Sequence, residues 1–333
     1  MATLAERMQG ERMARVALSM VAEPNDSTTG RVLAQVSGVE TLRLVESNDP
    51  VPGLARADTM IWRERLAARV TPDLPDRVAE TQGGEFGTLL PADKEWPAGL
   101  DDLGERAPYL LWTRGATSFL TAALSNRVTI TGSRAATSYG EHVAGELATS
   151  LADEERVVVS GDAYGIEGAA HKSVLAASGQ TIAVSAGGLD RPYPAGHSEL
   201  LGRIGDVGLL VSELPPGAAP TRHRFLARNR LLAALSGATV IPEAGPRSGS
   251  MTTVIAAHEL GRGVGAVPGP VTSATSSGPN QLIRQGFAQL ITEPSELLVL
   301  LDADEVPSRA ATGPGVRLQF DRRPQLGRPG RSL

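Results

Sequence analysis

The chain has 333 residues, 41% hydrophobic and only 4% aromatic, with no cysteine and a formal net charge of -5. That length allows one large core plus a smaller appendage, and a core this poor in rings must be filled by Val, Leu, Ile and Ala. The missing cysteines exclude disulfides, thiolate catalysis, zinc ribbons and iron–sulfur clusters; the acidic balance argues mildly against a nucleic-acid partner, although phosphate binding depends on local fields rather than on an average.

The start, Met1 to Arg7, leads into no apolar signal-peptide stretch. No apolar run approaches the roughly 20 residues of a membrane span, so the expectation is a cytoplasmic protein without a membrane contact. Residues 1–80 read as a small helical N-terminal domain, with apolar residues at helical spacing over Met8–Val21, Val32–Val45 and Ile61–Val70. Residues 81–126 read as a connecting segment packed on the core. Pro91, Pro97 and Pro108 keep it irregular, and Tyr109–Trp112 suggests a short buried strand ending at Arg114-Gly115.

Over 127–302 short β-branched runs alternate with longer helical ones. Strands are expected at Val128–Ile130, Val157–Val159, Thr181–Val184, Leu209–Val211, Thr239–Ile241 and Val264–Val267. Helices are expected at roughly 138–152, 165–178, 196–205, 226–236, 250–261 and 278–287. This alternation predicts an α/β fold: an extended, Rossmann-like, doubly wound and mostly parallel sheet. Residues 303–333 are dominated by Pro, Gly and Arg, including Arg309, Arg322, Arg323 and Arg331. They read as a flexible basic tail, either plainly solvated or adding weak electrostatic attraction for DNA.

Ligands of open α/β sheets bind outside the carboxyl ends of the strands, and four unusual loops are expected there. Gly132-Ser133-Arg134 offers close backbone approach, a hydroxyl and a planar donor fork that matches phosphate. A capping box, Ser138 to Glu141, opens the next helix and places a positive N-terminus beside it. Alone, this triplet is equally a tight turn with a surface arginine; it is neither a dinucleotide fingerprint nor a P-loop. Ser160-Gly161-Asp162 to His171 forms a second strand-to-helix turn, in which His171 reads foremost as a packing histidine. Arg222 to Arg230 is the densest positive cluster of the folded part, with Phe225 among Arg224, Arg228, Asn229 and Arg230. Cations that follow a backbone beside a ring that stacks on a base can grip single strands without a sequence code. Ser248-Gly249-Ser250 can cradle a phosphate at a helix N-terminus or merely cap it. His142, His171, His197, His223 and His258 are scattered, so no metal site is expected, and no elbow surrounds a nucleophilic serine.

Taken together, these stretches resemble the DprA/Smf family of DNA-processing proteins of natural transformation. The likeness is carried by Gly132-Ser133-Arg134 with Tyr139-Gly140; by Ser160-Gly161, Gly165-Ile166 and Ala169-Ala170-His171; and by Gly188-Leu189-Asp190 with Tyr193-Pro194. It continues through Ser212-Glu213 and Pro215-Pro216-Gly217, Phe225 with Arg228-Asn229-Arg230, Glu243-Ala244 with Ser248-Gly249-Ser250, and Pro268-Gly269-Pro270 with Gly278 to Ile283 and Gly286. It covers about 85 to 301, with a looser match before.

The resemblance implies single-stranded DNA binding with little sequence preference, a homodimer, and a partnership with the RecA recombinase, which such proteins help load. It implies no cofactor, and the family is not known as an enzyme. It places Arg134 and Arg224–Arg230 on backbone phosphates, Phe225 under a base and Ser248–Ser250 as donors. Asp162, Glu167 and Leu226 depart from the family pattern, and a negative Asp162 near the phosphate path is expected to weaken binding. The basic tail stands where many members carry a winged helix. The alternative is a nucleotide-binding hydrolase or sensor of the phosphoribohydrolase-like group, with Glu243 or Asp162 acting on a ribosyl centre.

Overall fold

A computed structural model of the protein describes residues 4–302 except 9 and 82. The expected basic tail at 303–333 lies outside the described residues. Six helices come first: α1 (Leu4–Arg7), α2 (Glu11–Val21), α3 (Ser27–Leu33), α4 (Gly38–Glu46), α5 (Arg56–Ala67) and α6 (Leu74–Glu80). The expected run over 32–45 is therefore two helices. Ser37 breaks it, because its hydroxyl accepts from the Glu40 N–H at 3.1 Å and caps α4.

Nine strands follow: β1 (Gly87–Leu89), β2 (Leu111–Gly115), β3 (Arg127–Ile130), β4 (Val157–Gly161), β5 (Thr181–Ser185), β6 (Leu209–Ser212), β7 (Ala238–Ile241), β8 (Gly263–Ala266) and β9 (Gln289–Leu290). Between and after them run α7 (Ser138–Asp153), α8 (Ile166–Ala176), α9 (Ser198–Val207), α10 (Arg222–Ala234), α11 (Met251–Glu259), α12 (Ser277–Arg284) and α13 (Ser295–Asp302). They form one sheet in the order β1-β2-β6-β5-β4-β3-β7-β8-β9. β3 to β9 are parallel; β2 runs antiparallel to β6, and β1 to β2. The doubly wound α/β expectation holds. Helix α10 begins four residues before its expected start, because the Thr221 hydroxyl accepts from the Arg224 N–H.

Both faces of the central strands are covered. Val128, Ile130, Val158 and Val240 pack with Leu147, Val174 and Leu297 on one face. Val157, Val159, Ile182, Val184 and Val211 pack with Leu231, Leu232 and Leu235 of α10 on the other. This two-sided burial is why the strands read as unbroken apolar runs. The N-terminal helices share one apolar cluster with Tyr109, Leu110, Trp112, Leu201 and Leu210, which docks them on the β2–β6 side. All three tryptophans, Trp62, Trp96 and Trp112, are buried. No helix among the described residues is long and apolar enough to cross a membrane.

Candidate nucleic-acid interface

The chain leaves β3 for α7 toward one end of the sheet, and β7 for α11 toward the other. The carboxyl ends of these adjacent strands therefore flank a topological switch point, where open α/β sheets form a crevice. A groove of about 770 Å³ lies there. Its walls come from the loops after β3 (Gly132, Ser133, Arg134), β4 (Ala163, Glu167), β5 (Tyr193), β6 with α10 (Arg222, Phe225, Leu226, Arg228, Asn229) and β7 (Arg247, Ser248, Gly249, Ser250). The four loops expected to converge do so, and the β5 loop adds a fifth.

The groove's free charge sits on Arg134, Arg222 and Arg247, all exposed. None has a carboxylate partner among the described residues. Arg134 lies over the Phe225 ring, 4.2 Å from its centroid, a cation–π contact that holds the guanidinium at the rim. Arg222 and Arg247 were not singled out from the sequence as site residues. Each sits inside a recognised cluster, but nothing local distinguishes a free arginine from a paired one.

Arg228 and Arg230 show the difference. Arg228 is 4% exposed and forms part of the groove floor. Its Nη1 donates to the Val184 carbonyl at 2.6 Å, and its Nη2 lies 3.6 Å from Glu167 and 3.9 Å from Asp162. Arg230 does not line the groove: it points into a buried pair with Glu213 at 2.5 Å and donates to the Arg106 carbonyl. Arg224 also stays outside the groove lining, because its guanidinium clamps Glu23 at the end of α2 at 3.0 Å. Of the three arginines predicted to grip from 224–230, Arg228 alone lines the groove, as a neutralised floor, while the predicted Arg134 reaches it as a free cation. Asn229 lines the wall and donates to the Gly249 carbonyl and the Thr252 hydroxyl, tying α10 to the α11 loop.

Asp162 is not on the phosphate path either. It is 3% exposed, beneath the groove. Burial raises its carboxyl to about 6; Arg228 pulls it down and Glu167 pushes it up. Glu167 accepts from the Thr131 hydroxyl at 2.8 Å and the Ala163 N–H at 3.0 Å, so it braces the two neighbouring loops. Gly161 lines no part of the groove; a Cβ there would overlap the Arg228 guanidinium, so the glycine makes room for the buried cation. His171 is a satisfied interior histidine. It contacts the Gly161 carbonyl at 2.9 Å and the Thr181 hydroxyl at 2.8 Å, and burial lowers it to about 4.

The helix N-terminus behind Gly132-Ser133-Arg134 is already occupied. The cap of α7 is Thr137, one residue before the expected box, and its N–H and hydroxyl both donate to the Glu243 carboxylate at 2.8 Å. Thr275 donates to the same carboxylate at 3.0 Å, and the Ser133 N–H to the Glu243 carbonyl at 2.6 Å. The close approach that Gly132 permits is to this carbonyl, which a Cβ would meet at 2.5 Å. Tyr139, on the first turn of α7, stands outside the groove lining and donates to the Pro268 carbonyl at 2.8 Å. Around Ser248-Gly249-Ser250 the N–H groups of Met251, Thr252 and Thr253 are taken by the carbonyls of residues 248, 249 and 250. The hydroxyls of Ser248 and Ser250 are 2.8 Å apart, so one donates to the other and a single O–H of the pair is left for a ligand in the groove.

The groove and its sheet can be compared with known proteins. The family model for DNA recombination-mediator protein A matches residues 87–302. A putative DNA processing protein DprA of Mycobacterium tuberculosis is 45% identical over 291 residues, covering 84% of this chain and 72% of that protein. Protein Smf of Escherichia coli is 40% identical over 212 residues, covering 63% of this chain and 55% of that protein. The X-ray structure of DNA processing protein A from Streptococcus pneumoniae superposes with a TM-score of 0.73 at 30% identity, over 88% of this chain and 98% of that one. The Helicobacter pylori protein, whose structure was described for its single-stranded DNA binding mode, gives a TM-score of 0.59 at 32% identity, over 67% of this chain and 98% of that one. The chain belongs to the DprA/Smf family of DNA-processing, recombination-mediator proteins.

Proposed function

We propose that the chain binds single-stranded DNA along this groove, without a sequence code, and acts as a recombination mediator that shields incoming strands. The observation that carries the reading is the set of three exposed arginines, Arg134, Arg222 and Arg247, around one strand-end groove with aromatic walls at Phe225 and Tyr193. Cations spaced along a groove neutralise phosphates, and rings receive bases. The Helicobacter pylori relative supports the choice of single-stranded DNA. Loading of the RecA recombinase, a homodimeric state and a cytoplasmic site of action belong to the same proposal, as does the absence of enzymatic turnover. Within it, residues 127–302 are the DNA-binding unit, 1–80 and 81–126 support it, and 303–333 add weak electrostatic attraction.

The hydrolase alternative requires a carboxylate free to act on a ribosyl centre. Glu243 is buried and engaged by Thr137 and Thr275, and Asp162 lies beneath the groove, which favours the DNA reading. The test is a salt-titrated comparison of single-stranded and duplex DNA. Binding should favour the single strand, and Arg134→Ala and Arg247→Ala should each weaken it broadly while leaving base preference unchanged. Unchanged affinity in both variants would sink the groove assignment. A pull-down with the host recombinase tests the RecA partnership separately.

A further inference from the structure

We propose that Tyr164, on the loop after β4, extends the base-stacking surface of the groove beyond Tyr193, on the loop after β5, and so carries the single strand past the groove. The proposal rests on the reading of the groove as a single-strand site. The chain holds only four tyrosines, and Tyr109 is buried. The other three, Tyr139, Tyr164 and Tyr193, are 41%, 48% and 45% exposed, and they are the only large aromatic side chains so exposed among the described residues. All three lie at the carboxyl edge of the sheet. Large apolar surface left in water and gathered at one edge marks a contact surface.

Tyr139 is held down through its hydroxyl bond to Pro268. The hydroxyls of Tyr164 and Tyr193 make no hydrogen bond among the described residues, so internal bonding does not account for their position. Tyr164 is nevertheless fixed. Its ring meets the His197 ring edge-on at 4.7 Å and 72°, and its hydroxyl end packs over Gly196. His197 is itself buried and donates from Nδ1 to the Asp162 carbonyl at 3.0 Å. A ring braced in this way binds with little ordering cost. Tyr193 lines the groove and tilts against Phe225, with centroids 5.8 Å apart.

Phe225 is less available to a base than its place in the motif suggests, because Arg134 covers it at 4.2 Å and Arg228 lies 5.7 Å away. The open rings are those of the tyrosines. They connect to the groove without a break: Ala163 and Glu167, on either side of Tyr164, form its wall, and the 193–197 loop bridges Tyr193 to the His197 brace. The occupant that fits is the continuation of the same strand, one base on each ring, with its phosphates on the groove arginines.

The test is a ladder of oligothymidylates from about 3 to about 15 nucleotides, spanning the site sizes usual for single-strand grooves. Wild-type affinity should keep rising past the length that fills the groove. Tyr164→Ala should remove that later gain, about tenfold for the long oligonucleotides, and leave short ones unaffected; Tyr164→Phe should restore it. A 2-aminopurine at the matching position should be quenched by stacking in the wild type and released in Tyr164→Ala, a readout that a folding defect would not mimic in Tyr164→Phe. Identical length dependence in wild type and Tyr164→Ala, with short oligonucleotides still bound, would overturn the platform and leave the groove standing. Failure of the wild type to bind any oligonucleotide would remove both.

Discussion

Five arginines of the candidate site differ in role because of partners far away in sequence. Arg134, Arg222 and Arg247 face solvent, while Arg228 meets Glu167 and Asp162, and Arg230 meets Glu213. Truncating one member of a buried pair strands the other charge, so Arg230→Ala should cost about 3–5 kcal/mol of stability in urea unfolding. Arg134→Ala should leave unfolding nearly unchanged while lowering DNA affinity. Asp162 supplies a pH test. Its folded carboxyl is raised to about 6, so between roughly pH 3.8 and 6 the native state binds the extra proton and stability from this group falls as pH rises. Asp162→Asn lacks that loss. Its stability relative to wild type should climb from pH 4 to 6 and level off above, as read from unfolding curves; a relative stability that fell over that window would contradict the assignment. The sequence shows which residue types gather at the site but not which charges are paired internally, because the carboxylate partners of Arg228, Arg230 and Arg224 lie 17 to 201 positions away.

At the level of elements, long repeats were legible and short ones were not. Each of the six expected strands of the core overlaps an observed strand, because burial on both faces writes a continuous apolar run. β1 and β9 escaped notice, since Gly87–Leu89 and Gln289–Leu290 are too short for any periodicity to register. The strand expected from Tyr109 to Arg114-Gly115 ends where expected and starts two residues later, at Leu111. Helix α10 carries a link that no local pattern reveals. Arg224 bonds Glu23, 201 residues away in sequence, and so fastens the groove's main helix to the N-terminal helices. Burial raises Glu23, but hydrogen bonds from Arg224 and Arg69 outweigh it and hold the carboxyl below its usual range. The folded carboxyl is depressed, so its contribution is present above the unfolded value and lost as pH falls through the folded one. Because the pair is partly exposed, Arg224→Ala should cost only about 1 kcal/mol. Its larger effect should be on hydrogen exchange, with faster exchange in the first turn of α10 and at the end of α2.

Across the whole molecule, a net charge of -5 coexists with a groove whose free charges are all positive. Such a protein should hold single strands by few ionic contacts. Three unpaired arginines predict a slope of log affinity against log salt of about -2, with each arginine-to-alanine change reducing it by about 0.7. A slope several times steeper would mean that cations beyond the groove, the tail at 303–333 included, dominate the binding. The acidic average, read alone, pointed away from nucleic acid. The fold reverses that reading by collecting strand ends as far apart in sequence as Ile130 and Ile241 onto one edge, while Glu23, Glu213 and Glu243 are turned to internal bonds.

The burial of Trp62, Trp96 and Trp112, set against the exposure of Tyr164 and Tyr193, also divides the protein's light emission by task. Tryptophan emission belongs to the packed interior and should shift only when the chain unfolds. The emission of Tyr164 and Tyr193 should be the part quenched when a strand arrives. Titration of the unlabelled protein with oligothymidylate should therefore dim the tyrosine band and leave the tryptophan maximum in place, so that occupancy and integrity are followed in a single cuvette.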